Sequence, residues 1–203
     1  MTTSTQSQQK LTFEQFLEYC PTEEGRYELV DGEIVRIQAT RGHENVAEFI
    51  SDCLKEEVKR LKLNYRVSGR ITVATLAQDG KEQGRNPDVS VVDRTLWDSN
   101  LTAYSALREP LPLAVEVVST NWEDDYIDKL DEYQRLSIPE YWIVDYLALG
   151  SRTYLGNPKQ PALFVFLLDE VGKYHYTRFR EGDRIISQTF PELTLTVEQV
   201  LQA

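Results

Sequence analysis

Apolar side chains recur along the chain with two different periods. From His43 to about Leu63, Val46, Phe49, Ile50, Cys53, Leu54, Val58 and Leu61 return at steps of three and four with charges between them, which predicts an amphipathic helix. Asp125 to Leu136 repeats the pattern, with Ile127, Leu130, Tyr133 and Leu136 falling on one stripe. Elsewhere the pattern is that of strands. RYELVDGEIVRI at 26–37 sets Asp31-Gly32 between two β-prone runs, a strong hairpin signal. Its alternation puts Glu28 and Val30 on one face and Leu29 on the other, with exposure the expectation for Glu28 and for Glu33 across the turn. Tyr65–Leu76, Asn86–Asp93 (opened by Pro87) and Tyr141–Tyr146 read as further strands, and Leu113–Val118 as one covered on both faces. Ala162–Leu168 and Lys173–Arg180 form a second hairpin about Asp169–Gly172, and short helices are expected to open at Thr12 and Thr196. The class is α/β: a mixed central sheet from strands near 67–76, 88–93, 112–118 and 140–146, flanked by helices at 43–63 and 125–136, with extra β-hairpins at both ends.

Glu116 breaks this pattern. It stands in the middle of the most apolar strand, and a carboxylate taken out of water costs several kcal/mol unless it is protonated, ion-paired or metal-bound. Candidate partners lie on either side in sequence. Asp88 sits at the mouth of the Pro87 strand, and a helix folded back over the sheet would deliver Lys129, with Tyr133 one turn further on the same face. His43 lies in the first turn of its helix, where the positive end of the dipole favours an anion. Alone, Asp88 could end a turn, Lys129 could be a solvated lysine, Tyr133 a core residue and His43 a structural one; the combination carries the signal.

Pro87-Asp88, then Glu116-Val117-Val118, then a helix carrying Lys129 and closing on IPEYWIVDY, resembles the PD-(D/E)XK nuclease superfamily. Together with RYELVDGEIV, His43 and the closing hairpin, the chain is similar over nearly its whole length to the Uma-type, restriction-endonuclease-like family of unknown function rich in cyanobacterial members. The parent motif places its lysine two residues after the acid, where this chain has Val118; the pattern resembles a migrated lysine, here Lys129. The resemblance implies a restriction-endonuclease-like fold and a magnesium-dependent endodeoxyribonuclease, with manganese as a substitute ion. Asp88, Glu116 and the Val117 carbonyl would be the metal ligands and Lys129 the catalytic amine, with Tyr133 and His43 in support. DNA is the implied partner, and a homodimer would supply the two sites needed to cut both strands. The rival reading is an inactive nuclease-fold module that binds nucleic acid or protein.

Composition qualifies this picture. The 203 residues suit one domain over 11–203, with MTTSTQSQQK at 1–10 expected to be a disordered tail. No apolar run is long enough to span a membrane and no signal-peptide core opens the chain, so a cytoplasmic protein is expected. Cys20 and Cys53 lack metal-ligand spacing and are expected to be buried and reduced. There is no phosphate-binding glycine loop, no cysteine pair for zinc and no serine in a nucleophile elbow. The net charge of −11 opposes strong nucleic-acid binding, although Lys55, Lys59, Arg60, Lys62, Arg66 and Arg70 crowd one stretch. That stretch is either a phosphate track or a solvated, partly paired helix face.

Overall fold

A computed structural model describes residues 10–21 and 25–203; apart from Lys10, the expected tail lies outside the described residues. Helix α1 (Phe13–Tyr19) opens with a reciprocal cap between Thr12 and Gln15. Strands β1 (Arg26–Val30) and β2 (Glu33–Ile37) form the expected hairpin. Asp31 and Gly32 turn it with φ of 51° and 78°, the positive angles that a two-residue turn of this hand requires. Helix α2 (Arg41–Leu61) is capped by Thr40 and buries Val46, Ile50 and Leu54 along one stripe. There follow β3 (Tyr65–Ser68), β4 (Thr72–Leu76), β5 (Glu82–Arg85), β6 (Val89–Asp93), α3 (Arg94–Asp98), β7 (Ala106–Leu107) and β8 (Leu113–Val117). A π-helical turn at Asp124–Asp128 runs into α4 (Lys129–Arg135), and β9 (Glu140–Asp145), α5 (Arg152–Leu155), β10 (Ala162–Leu168), β11 (Tyr174–Phe179) and α6 (Val197–Leu201) complete the chain.

The strands form two mixed sheets. The six-stranded one runs β11-β10-β9-β8-β6-β3, and its parallel β8–β9 pair is joined by the crossover that contains α4. The five-stranded one runs β2-β1-β5-β4-β7. The single strand expected over 67–76 is therefore two strands in different sheets. The chain bends between them at Gly69, where a Cβ would lie 2.6 Å from the Asp88 carbonyl oxygen, so no side chain fits. Residues 82–85, just before the Pro87 strand, form a paired strand of their own.

Alternation along β8 divides the core. Leu113, Val115 and Val117 pack with Ile50, Leu54, Trp142 and Val144 on the α2 side. Ala114 and Val118 join Tyr133, Tyr141, Ile143 and Phe164 on the α4 side, the side to which Glu116 also points. A smaller cluster of Phe13, Phe16, Leu29 and Ala74 underlies the five-stranded sheet. Among the described residues, no helix is long and apolar enough to cross a membrane.

Candidate active site

The two sheets meet where β1, β6, β8 and the entry to α4 converge, and a cleft of about 360 Å³ opens there. Asp88, Glu116, Val117, Lys129 and His43, all singled out from the sequence, line it. Tyr133 lies beneath it, fully buried, and donates its hydroxyl to Glu116 Oε1 at 2.6 Å.

Lys129 holds the acids together. Its Nζ lies 3.2 Å from Glu116 Oε2, 3.2 Å from Asp125 Oδ1 and 3.7 Å from Glu28 Oε1. The π-helical turn sets this geometry. It buries Asp125 and Tyr126, and the Asp125 carbonyl accepts from the Tyr141 hydroxyl at 2.9 Å, a side chain intruding on the helix ladder. The widened turn also rotates Ile127 off the expected apolar stripe; it is 51% exposed, while Tyr133 is fully buried.

Asp88 is held by different partners. Arg26 Nη1 donates to Oδ1 at 2.6 Å, the Val117 N–H donates to Oδ2 at 2.8 Å, and His43 Nε2 lies 3.1 Å from Oδ2. The Arg26 fork also reaches Asn86, donating to its carbonyl and to its side-chain oxygen. His43 Nδ1 is buried without a hydrogen-bond partner among the described residues.

A second set of partners backs the first. Arg85 on β5 makes a bidentate pair with Glu132 on α4, at 2.6 and 2.8 Å, and reaches Glu28 Oε2 at 3.2 Å. Glu28 also accepts from the Asn86 N–H at 3.0 Å, and Thr75 donates to Glu132 at 2.6 Å. Glu28, expected to be exposed, is thus a buried member of the site; Glu33 is exposed as expected. The cause is that the face of β1 bearing Arg26, Glu28 and Val30 is the cleft wall rather than a free ribbon surface.

The electrostatics are uneven. Burial pushes the Glu116 carboxyl up to about 8; Lys129 opposes this, while Asp88, Asp125 and Glu28 reinforce it. Burial raises Asp125 to about 6 despite the same lysine. For Asp88 burial is outweighed by His43 and Arg26, which hold it below the usual carboxylate range. For Lys129 burial is outweighed by Glu116, Glu28, Asp125 and Asp88, so its ammonium is held well above the ordinary lysine range. Base chemistry at Lys129, which a lowered pKa would have allowed, is therefore not favoured in this arrangement.

A hard divalent cation suits these donors. Carboxylate and carbonyl oxygens are its preferred ligands, and Glu116, with its pKa raised, still lacks compensating charge. Among the described residues no group of three or more His, Cys, Asp or Glu side chains is spaced to hold a metal unaided, so the Val117 carbonyl and non-protein oxygens would have to complete the shell. Asp88 would also have to free an oxygen from Arg26 or His43.

Arg26, Arg85, Asp125 and Glu132 escaped the sequence reading, and Glu28 entered it only as an exposed ribbon residue. Asp125 had a usable signal, four residues before Lys129 on a helix. The others come from β1, β5 and the middle of α4, and only the packing of one sheet against the other brings them in.

The mixed α/β architecture, with its parallel βαβ unit and acids at the strand ends, defines a restriction-endonuclease-like chain. A crystal structure of an Anabaena variabilis ATCC 29413 protein, described as "a putative nuclease belonging to DUF820", superposes with a TM-score of 0.69 at 15% sequence identity, covering 95% of this chain and 98% of that one. The model of the family described as "Uma2: Putative restriction endonuclease" matches residues 13–198, and the chain belongs to that family. No curated protein matches the chain.

Proposed function

We propose that this chain is a metal-dependent nuclease that hydrolyses DNA phosphodiester bonds in the cleft between β1 and α4. The observation that carries the reading is the convergence of Asp88, Glu116 and Lys129, from β6, β8 and α4, on one recess, with the Lys129 ammonium 3.2 Å from Glu116. Membership of the Uma2 family supports it.

Asp88, Glu116 and the Val117 carbonyl would hold magnesium, or manganese in its place. When bound, the ion supplies positive charge that stabilises the attacked phosphate and the leaving oxygen. Lys129, protonated, orients the attacking water and steadies a phosphate oxygen. Asp125 and Glu28 fix the lysine, and Tyr133 fixes the Glu116 carboxylate through its hydroxyl. Arg26 and His43 neutralise Asp88 before an ion is taken up.

Nicking of supercoiled DNA and cutting of a single-stranded oligonucleotide together test the reading. Wild type is expected to cleave DNA in magnesium or manganese and to stop when the ion is chelated, and Lys129→Ala to lose about a hundred- to a thousandfold in rate. Undiminished cleavage by the variant would remove the lysine from the mechanism. A second reading, an inactive binding module, draws on the full engagement of both Asp88 oxygens by Arg26, His43 and Val117. Cleavage at a rate that Asp88→Asn and Glu116→Gln both abolish would exclude it.

A further inference from the structure

Resting on the nuclease reading, we infer that the substrate enters as an unpaired strand, lying across two grooves that meet at Asp88. The groups that would act on it are sunk: Asp88 is 7% exposed, Glu116 1% and Lys129 7%. A B-form duplex is a stiff rod with a persistence length of roughly 50 nm, and it presents its phosphates on a convex surface. Such a rod would have to kink or open to lower one phosphodiester into this recess, a deformation that a flexible single strand avoids.

The cleft walls agree with this. Its outer part is formed by Val30, Val35 and Ile37 from the β1–β2 hairpin, facing Ser119 and Asn121. Val35 is 44% exposed, an apolar surface suited to a sugar or an unstacked base and not to a phosphate track. Arg26 and Lys129 are the cations that line the cleft, and both are already engaged by its acids.

The second groove lies on the other side of Asp88. It has a volume of about 390 Å³, shares Arg26 and Asp88 with the cleft, and runs between α2 and the β3–β4 bend. Lys55 from α2 and Arg70 from the β3–β4 bend both line it, and both are exposed. Lys55 is 2.9 Å from Asp52 in a solvated pair, which competes only weakly for its charge. Glu44 and Glu48 line the same groove and limit its attraction, so binding is expected to be modest and salt-sensitive. Two exposed cations in one groove suit a single phosphate backbone lying along it; duplex binders instead spread many contacts along a rod.

Equilibrium binding decides the point independently of catalysis. Fluorescence anisotropy of a labelled single-stranded oligonucleotide and of its duplex, with calcium in place of magnesium, is expected to favour the single strand by about tenfold or more. The exposed double substitution Lys55→Gln with Arg70→Gln should weaken single-strand binding by about tenfold and leave duplex binding unchanged. Equal or tighter duplex binding, or a double variant that binds the single strand like wild type, would overturn the inference. Cleavage in magnesium is read separately. If neither form is cut, the nuclease reading fails even where the single strand is preferred; if the duplex is preferred and cut, the nuclease reading stands and this inference falls.

Discussion

The two faces of β8 occupy different surroundings. Toward α2, Leu113, Val115 and Val117 join one apolar cluster, a layer held by burial and close packing. Toward α4, Glu116, set between Val115 and Val117 on the same strand, meets Lys129 and the Tyr133 hydroxyl, with Asp125 and Glu28 also on the lysine. The first face is specified by volume and apolarity, so apolar residues of similar size are tolerated best. The second is specified by partners, and it carries more carboxylate than its cations neutralise, as the raised Glu116 and Asp125 indicate. Replacing a buried ion cluster with apolar residues is often neutral or stabilising, so stability alone does not account for the second face.

The contrast is broken most sharply at Lys129. Lys129→Met should cost about 3–5 kcal/mol in urea unfolding, because it strands several buried carboxylates, along with the loss of nicking described above. Adding Glu116→Gln should recover much of the stability and none of the activity. A stable single variant would mean that the acids are not held by this amine.

Leu113→Ala, on the apolar face, should cost about 2–5 kcal/mol through lost transfer energy and the cavity left behind. Its cost should not change with pH, and its effect on cleavage should follow the folded fraction. A pH-dependent cost would show that the two faces are coupled through the strand.

Protons sharpen the comparison further. Glu116 is raised from 4.5 to about 8, so between those values the folded chain holds a proton that the unfolded chain has lost. Stability should therefore fall as pH rises through that window, by up to about 1.4 kcal/mol per pH unit where the difference is one full proton. Asp88 acts oppositely: lowered in the fold, its contribution is present above the ordinary aspartate pKa and is lost as pH falls below it. Denaturant midpoints across pH check both signs, and Glu116→Gln should flatten the neutral-range slope.

The smallest effect belongs to the helix surface. Lys59→Ala removes an exposed pair with Glu56 and should leave the unfolding midpoint unchanged. That pair, with Arg60–Glu57 and Lys55–Asp52, makes half of the basic stretch a solvated, paired helix face. Arg66 stacks on Trp97, and Lys55 and Arg70 remain at the groove.

Local features of the sequence predicted local structure well. The α2 stripe, the presence of the second helix, the Asp31-Gly32 hairpin and the caps at Thr12 and Thr196 follow from residue period and turn chemistry. The anomaly at Glu116 pointed to Asp88 and Lys129 because a buried carboxylate demands partners. What escaped was non-local. Gly69 reads as a tolerable strand residue until the Asp88 backbone is known to lie against it, so the splitting of one strand between two sheets was hidden. Glu28 and Arg85 look like ordinary ribbon charges until the sheets pack, and the π-helical turn depends on a hydroxyl from Tyr141 sixteen residues away. The two cysteines are free, as expected, but half-buried instead of buried.

On the proposed reading, the surplus of carboxylate beside Asp88 and Glu116 receives a divalent cation. Calorimetric titration of magnesium into wild type, Asp88→Asn and Glu116→Gln tests it most directly. The account predicts saturable binding to wild type that both substitutions abolish while the fold is retained by circular dichroism. Identical heats from all three proteins would contradict it.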